Sequence, residues 1–287
     1  MSAVPQVLIA FGPDVTCTLD ICPIEWSVYT YRPSLPANIT LLALFGAVGL
    51  VHAYLGHRWR AWGFMVGMLL GCVCEMIGYV GRIMLYNDPF SWIGFMIQII
   101  CLTIAPVFFT ASIYVTLSKT IIYLAPEASR FRPELFYWVF IPADVICLIL
   151  QAAGGTLSTQ TLGGQTGVDI SMAGLVLQLV VILLFIVAFV DYIVRYWRSG
   201  GRAGTAAAAV TWRLAAFFAG LSAAIVLILA RCCYRVAELN QGYFGELMHE
   251  EVSFVVLEGC VIVLAVAALF WGHPGLAFGG RAGRPTE

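Results

Sequence analysis

The chain has 287 residues, of which 61% are apolar and only 11% charged, and its formal net charge is −1. An average soluble domain carries roughly 25% charged residues. With 15 basic and 16 acidic groups and a mean hydropathy of +0.91, a soluble protein of this size could not cover its surface, which excludes a cytosolic globular enzyme, a nucleic-acid binder and a disordered chain and leaves an integral membrane protein.

Residues 1–34 lack the basic start and apolar stretch of a secretory signal, and they contain Asp14, Asp20 and Glu25. They read as an exoplasmic tail that crosses with the first span as a signal anchor. Cys17 and Cys22 sit in this tail, where oxidation is possible; a disulfide between them and a pair of free thiols are the two alternatives. The other seven cysteines lie in or beside apolar stretches and read as small buried hydrophobes.

Apolar runs follow at 35–56, 61–85, 92–117, 135–157, 171–194, 210–231 and 252–272. Each can cross a hydrocarbon core about 30 Å thick at about 1.5 Å per residue. None alternates like a membrane strand, and backbone in lipid must satisfy its own hydrogen bonds, so an all-α bundle of seven transmembrane helices is expected over 35–273. Residues 274–287 are left as a cytoplasmic tail. Eleven bases (Arg58, Arg60, Lys119, Arg130, Arg132, Arg195, Arg198, Arg202, Arg213, Arg281 and Arg284) flank one side, and four (Arg32, Arg82, Arg231 and Arg235) the other. The positive-inside rule then puts the amino terminus outside and the carboxyl terminus in the cytoplasm. The loop 195–209, rich in Arg, Gly and Ala, is expected to be mobile.

Ionisable groups inside a span are costly, so each is a functional candidate by default. The expected outer half collects Asn38, Glu75, Tyr79, Arg82, Gln98, Gln151, Gln178, Arg231, Tyr234, Arg235, Glu238, Glu250, Glu251 and Glu258. The inner half is drier, with Asp144 near mid-depth, His52 near the inner end and Asp191 at the inner edge. This asymmetry predicts a polar cavity opening outward, walled by pairs of Glu75 or Glu238 with Arg82, Arg231 or Arg235. Arg235 and Glu238, three apart, can pair on one helix. The competing reading is that such pairs only fix helix register, or that the arginines reach the headgroups. Gly63, Gly67 and Gly71 recur every four residues and permit close helix approach, within the bundle in preference to a dimer. Pro106 and Pro142 are expected to kink the third and fourth helices.

Several seven-helix chemistries are excluded. The one lysine, Lys119, lies at the inner end of the third helix, so no retinal Schiff base forms in the last helix. His52, His57, His249 and His273 are scattered, so metal catalysis is not expected. No phosphate loop or nucleophile elbow occurs, and no cofactor is implied. The third span ends in Ser118-Lys119-Thr120 rather than the acidic-Arg-Tyr triplet of G-protein-coupled receptors.

An ordered set of blocks remains. Tyr31, Pro33, Ser34 and Asn38 enter the first helix. Glu75-x-x-Gly78-Tyr79-x-x-Arg82 and Gln98 follow, then Ala105-Pro106-x-Phe108-x-x-Ala111-Ser112-Ile113-Tyr114. Asp144 leads to Gln151-x-x-Gly154-Gly155, and Gly174-Leu175-x-x-Gln178 comes next. Arg231-x-x-Tyr234-Arg235-x-x-Glu238, Gly242, Glu250 or Glu251, and His273-Pro274 complete the set. In this order the chain resembles the fungal RTA-like proteins, the lipid-translocating exporters. The resemblance implies seven helices with the amino terminus outside. It also implies a fungal membrane protein linked to release of sphingoid bases, lipid asymmetry and resistance to toxic amphiphiles, with the plasma membrane as the expected location and an endomembrane as the alternative. It transfers no catalytic residues, and no enzyme activity is expected. Membrane lipids, not nucleic acid, are the implied partners. The acids Glu75, Glu238, Glu251 or Glu258 would accept an amine, and Gln98, Gln151, Gln178 and Asn38 would meet hydroxyls. The rival is a seven-helix sensor for lipid or stress signals.

Overall fold

The computed structural model describes residues 8–124, 126–160, 165–198, 209–242 and 245–278. Seven helices in it are long and apolar enough to span a membrane, and no strand occurs among the described residues. They are α1 (Leu35–Trp59), α2 (Trp62–Asn87), α3 (Trp92–Leu124), α4 (Leu135–Gln160), α5 (Gln165–Arg198), α6 (Ala209–Asn240) and α7 (Glu251–Ala268). A short α8 (Pro274–Phe278) follows. The expected mobile loop, together with Arg202, Arg281 and Arg284, falls largely or wholly outside the described residues.

Each helix rests on the next, α7 returns to α1, and α3 reaches α6 across the middle. Residues facing the interior recur at helical spacing: Asn38, Leu41, Phe45, Gly49, His52 and Gly56 are the buried face of α1. The distribution of polarity is inverted relative to a soluble protein. Leu50, Val187 and Val252 are 74%, 67% and 75% exposed, while Arg82 and Asn38 are 0% exposed. Only an apolar surrounding rewards that arrangement.

Close approach of α2 to α3 explains the glycine stripe. A Cβ on Gly67 would strike the Ser112 hydroxyl and one on Gly71 the Phe109 ring, so the stripe faces α3 within the bundle. Arg60 adopts a left-handed conformation (φ 54°) and accepts the end of α1, so two residues suffice to turn into α2.

Several helices exceed their apolar runs. α3 continues to Leu124, α5 spans Gln165–Arg198, and α6 runs on to Asn240. The last extension carries Arg235 and Glu238, which are paired with each other. Gly242 (φ 76°) then stops α6, its N–H bonded to the Leu239 carbonyl. α3 and α4 run unbroken through Pro106 and Pro142. One turn of α7, Val255–Cys260, is π-helical.

The segment before α1 folds back over one end of the bundle. Cys17 and Cys22 are joined by a disulfide with Cα atoms 5.5 Å apart, and they pack with Phe90. Val28 and Tyr29 pack with Leu85, Phe95 and Met248. At the opposite end, α8 lies on the last turn of α1, where a Cβ on Gly275 would strike Trp59.

Candidate functional site

The polar residues gather at the end covered by the amino-terminal segment, in three groups. The first centres on Arg82 of α2. Its Nε donates to Asn38 Oδ1 (3.1 Å) and its Nη2 to the Tyr31 hydroxyl (3.1 Å). Nη2 also lies 3.8 Å from Glu251 Oε1, and the guanidinium stacks 3.8 Å over the Phe254 ring. Glu251 Oε1 in turn accepts the Ser34 N–H at 2.5 Å. Burial pushes the Tyr29 and Tyr31 phenols up, against the pull of Arg82, so both hydroxyls stay neutral. Tyr29 accepts Gln98 Nε2 at 2.8 Å. Arg82 is therefore a fixed clamp between the amino-terminal segment, α1, α2 and α7.

The second group lies deeper. Arg231 of α6 pairs with Glu258 of α7, both nearly fully buried. Its Nη2 also donates to the Leu102 carbonyl at 2.6 Å. That carbonyl is available for a reason legible in the chain. Pro106, four residues on, has no N–H to return to it. Glu258 sits in the π turn, a local widening often found where a helix places a functional side chain. Glu75 of α2 faces both members of the pair and is itself 1% exposed. Neither of its oxygens has a hydrogen-bond partner among the described residues. Tyr79, one turn on, is buried against Gly259 of the π turn. Glu75 was expected to pair with an arginine. The structure gives Arg231 to Glu258 and Arg82 to Glu251 instead, because α7 presents its acids directly to those guanidinium groups.

The third group belongs to a cavity of about 270 Å³ between α3, α4, α5 and α6. Arg235 and Glu238, paired along α6, lie at one side together with Gln151, Ser171 and Thr103. Gln151 Nε2 donates to Gln178 Oε1 at 2.9 Å, which joins α4 to α5 behind the cavity wall. The remaining wall is apolar and includes Met96, Ile99, Ile104, Leu148 and Leu175. Ile100, Val145 and Ile149 line the cavity and are also exposed on the bundle surface. The cavity therefore reaches the side of the bundle between α3 and α4. Of the four acids considered as amine acceptors, Glu238 is the one that lines it.

The other candidates lie apart. Asp144 is buried and accepts the Thr110 hydroxyl at 3.1 Å. Tyr234 is buried, with its hydroxyl unpartnered. His52 contacts the Val266 carbonyl at 3.0 Å, and Asp191 pairs with Arg195 at 2.9 Å. Glu250 accepts the Ser253 hydroxyl on the surface. Among the described residues no cluster could hold a metal ion. Three contributors escaped the reading of the residue pattern: the Leu102 carbonyl, the Tyr29 hydroxyl and the Phe254 ring. Pro106 was the available signal for the first. The other two depend on the fold of the amino-terminal segment and of α7.

Comparison with known proteins bears on the same residues. Over 283 aligned residues the chain is 27% identical to the sphingoid long-chain base transporter RSB1 of Saccharomyces cerevisiae, covering 87% of this chain and 74% of that one. It is 24% identical to protein RTM1 and 25% identical to protein RTA1 of the same yeast, covering 92% and 85% of their lengths. No solved structure matches. The model of the RTA1 like protein family matches residues 68–281, a stretch that begins just before Glu75 and takes in Arg231, Arg235, Glu238 and Glu258. With three quarters of its length in that match, and the buried arginines and acids inside it, the chain belongs to the RTA1 like protein family.

Proposed function

We propose that the protein translocates single-chain cationic amphiphiles of the sphingoid-base type toward the outer leaflet. In this reading the amino-terminal segment is exoplasmic, residues 35–273 form the transport unit and residues 274–287 are a cytoplasmic tail. The plasma membrane is the site of action, and resistance to toxic amphiphiles is the physiological result. The observation that carries the reading is the cavity between α3, α4, α5 and α6, polar at Glu238, Arg235 and Gln151, apolar elsewhere and open to the bundle surface beside Ile100 and Ile149. An amine fits the Glu238 carboxylate by a charge-assisted hydrogen bond. Hydroxyls fit the Gln151 amide, and the chain lies along the isoleucines into the bilayer. The name of the yeast relative RSB1 supports the same substrate class.

Reconstitution in liposomes with a fluorescent sphingoid base tests it. Flip faster than in empty liposomes, lost in E238Q, is expected. Binding with no flip above empty liposomes would overturn transport and favour a sensor.

A further inference from the structure

The buried charges at this end of the bundle do not balance. Arg82, Arg231 and Arg235 each have a carboxylate: Glu251, Glu258 and Glu238 in turn. Glu75 is the fourth acid facing this network, and among the described residues it has neither an arginine partner nor any hydrogen-bond donor. A carboxylate held so in a dry interior is among the costliest arrangements a protein can contain as an anion. It requires a cation of its own, and the smallest one is a proton.

The surroundings allow that proton to leave. Glu75 faces Arg231 from α6, Glu258 from α7, Cys101 from α3, and Cys72, Cys74 and Tyr79 on its own helix. Arg231 is the one fixed positive charge in that set. Its Nη2 is held on Leu102, while its Nε and Glu258 Oε2 have no partner. That one nitrogen meets both Glu258 and the carbonyl that Pro106 frees, so Nε remains for a second acid. Leu102 lies in the same turn of α3 as Ile100 and Thr103 of the cavity wall. Arg231, Arg235 and Glu238 follow one another at four and three residues on one face of α6.

We propose that Glu75 is an exchangeable proton site coupled to amine binding at Glu238, so that one proton leaves Glu75 for each ammonium group that enters. This rests on the transport reading. An ammonium ion that takes Glu238 from Arg235 adds one positive charge to the network. Loss of the Glu75 proton restores the total, and Arg231 is shared with the new anion. Linkage makes the effect reciprocal: deprotonating Glu75 strengthens amine binding by the same factor that amine binding weakens the proton. The exchange is electroneutral. A gradient of one pH unit then sustains an about tenfold concentration ratio of the amine.

Two measurements test this. In proteoliposomes loaded with a pH-sensitive dye, adding a single-chain amphiphilic amine should release protons and drive its accumulation with the pH gradient, beyond the redistribution in empty liposomes. E75Q should lose the proton signal and the gradient dependence, and E75D should restore both. Transport of equal rate with and without the gradient in the wild type would overturn the coupling and leave the transport reading intact. Infrared titration of the purified wild type tests the proton site without transport. A protonated carboxylic acid C=O band should be present, shrink when the amine binds, and be missing from E75Q while remaining in D144N. A band that persists in E75Q unchanged would overturn the assignment. If no transport occurs at all but this band responds, the proton site stands and the transport reading falls.

Discussion

Arg231 shows how one side chain comes to hold three elements. Its guanidinium meets Glu258 of α7 and the Leu102 carbonyl of α3 from its own place on α6. Breaking a buried pair by neutralising one partner strands the other, at about 3–5 kcal/mol. E258Q should therefore lower the melting temperature in detergent sharply. R231M/E258L should cost less than the sum of the single changes, because no charge is stranded. Equal and additive losses would show that the pair carries no coupling. His273, beyond the last span, gives a second prediction. It is fully buried, and its Nδ1 accepts the Gly275 N–H at 3.0 Å. Burial, with a smaller push from His52, holds the imidazole down to about 4. The folded chain keeps this ring neutral while the unfolded chain protonates it below about 6.5. Its contribution to stability is therefore complete above that pH and disappears as pH falls toward 4. Melting curves across that window should be less steep in H273Q than in the wild type.

The helices were readable from hydropathy because lipid admits little else, yet their ends were not. The apolar run in α6 ends at Arg231, whereas the helix continues through Arg235 and Glu238, which are paired with each other. The gathering of Asn38, Arg82, Arg231 and Glu258 at one end was legible from helical spacing and direction. Partner choice was not. It depends on the rotation of α7, and that rotation is set by a π turn that no residue pattern in the chain announces. The turn is held closely against α1 and α2. A Cβ on Gly259 would lie 2.6 Å from Leu41 Cδ1 and 2.9 Å from the Tyr79 hydroxyl. G259A should cost about 1–3 kcal/mol through overpacking. A melting temperature unchanged in G259A would mean that α7 can shift freely. The prolines differ in the same way. Pro106 releases a carbonyl of its own helix for an arginine 125 positions later, a pairing its place in the chain does not announce.

At the scale of the molecule, the bundle divides into two functions. The half built from α1, α2, α6 and α7 holds the Arg82–Glu251 and Arg231–Glu258 pairs and Glu75, while the cavity lies between α3, α4, α5 and α6. α6 belongs to both, and its Arg231 reaches the Leu102 carbonyl of α3. The covering by the amino-terminal segment, tied by Cys17–Cys22 and by Tyr29 on Gln98, was not foreseen from its composition. The side opening between α3 and α4 has a consequence for selectivity. A ligand whose chain rests there has exchanged one hydrocarbon surrounding for another. In water, each added methylene would contribute about 0.8 kcal/mol to burial; entering from the bilayer, it contributes next to nothing. Membrane-referenced affinity should therefore be nearly flat from twelve- to twenty-carbon amines. It should fall steeply when the amine is acetylated, the mark of a site that reads head groups and ignores tails.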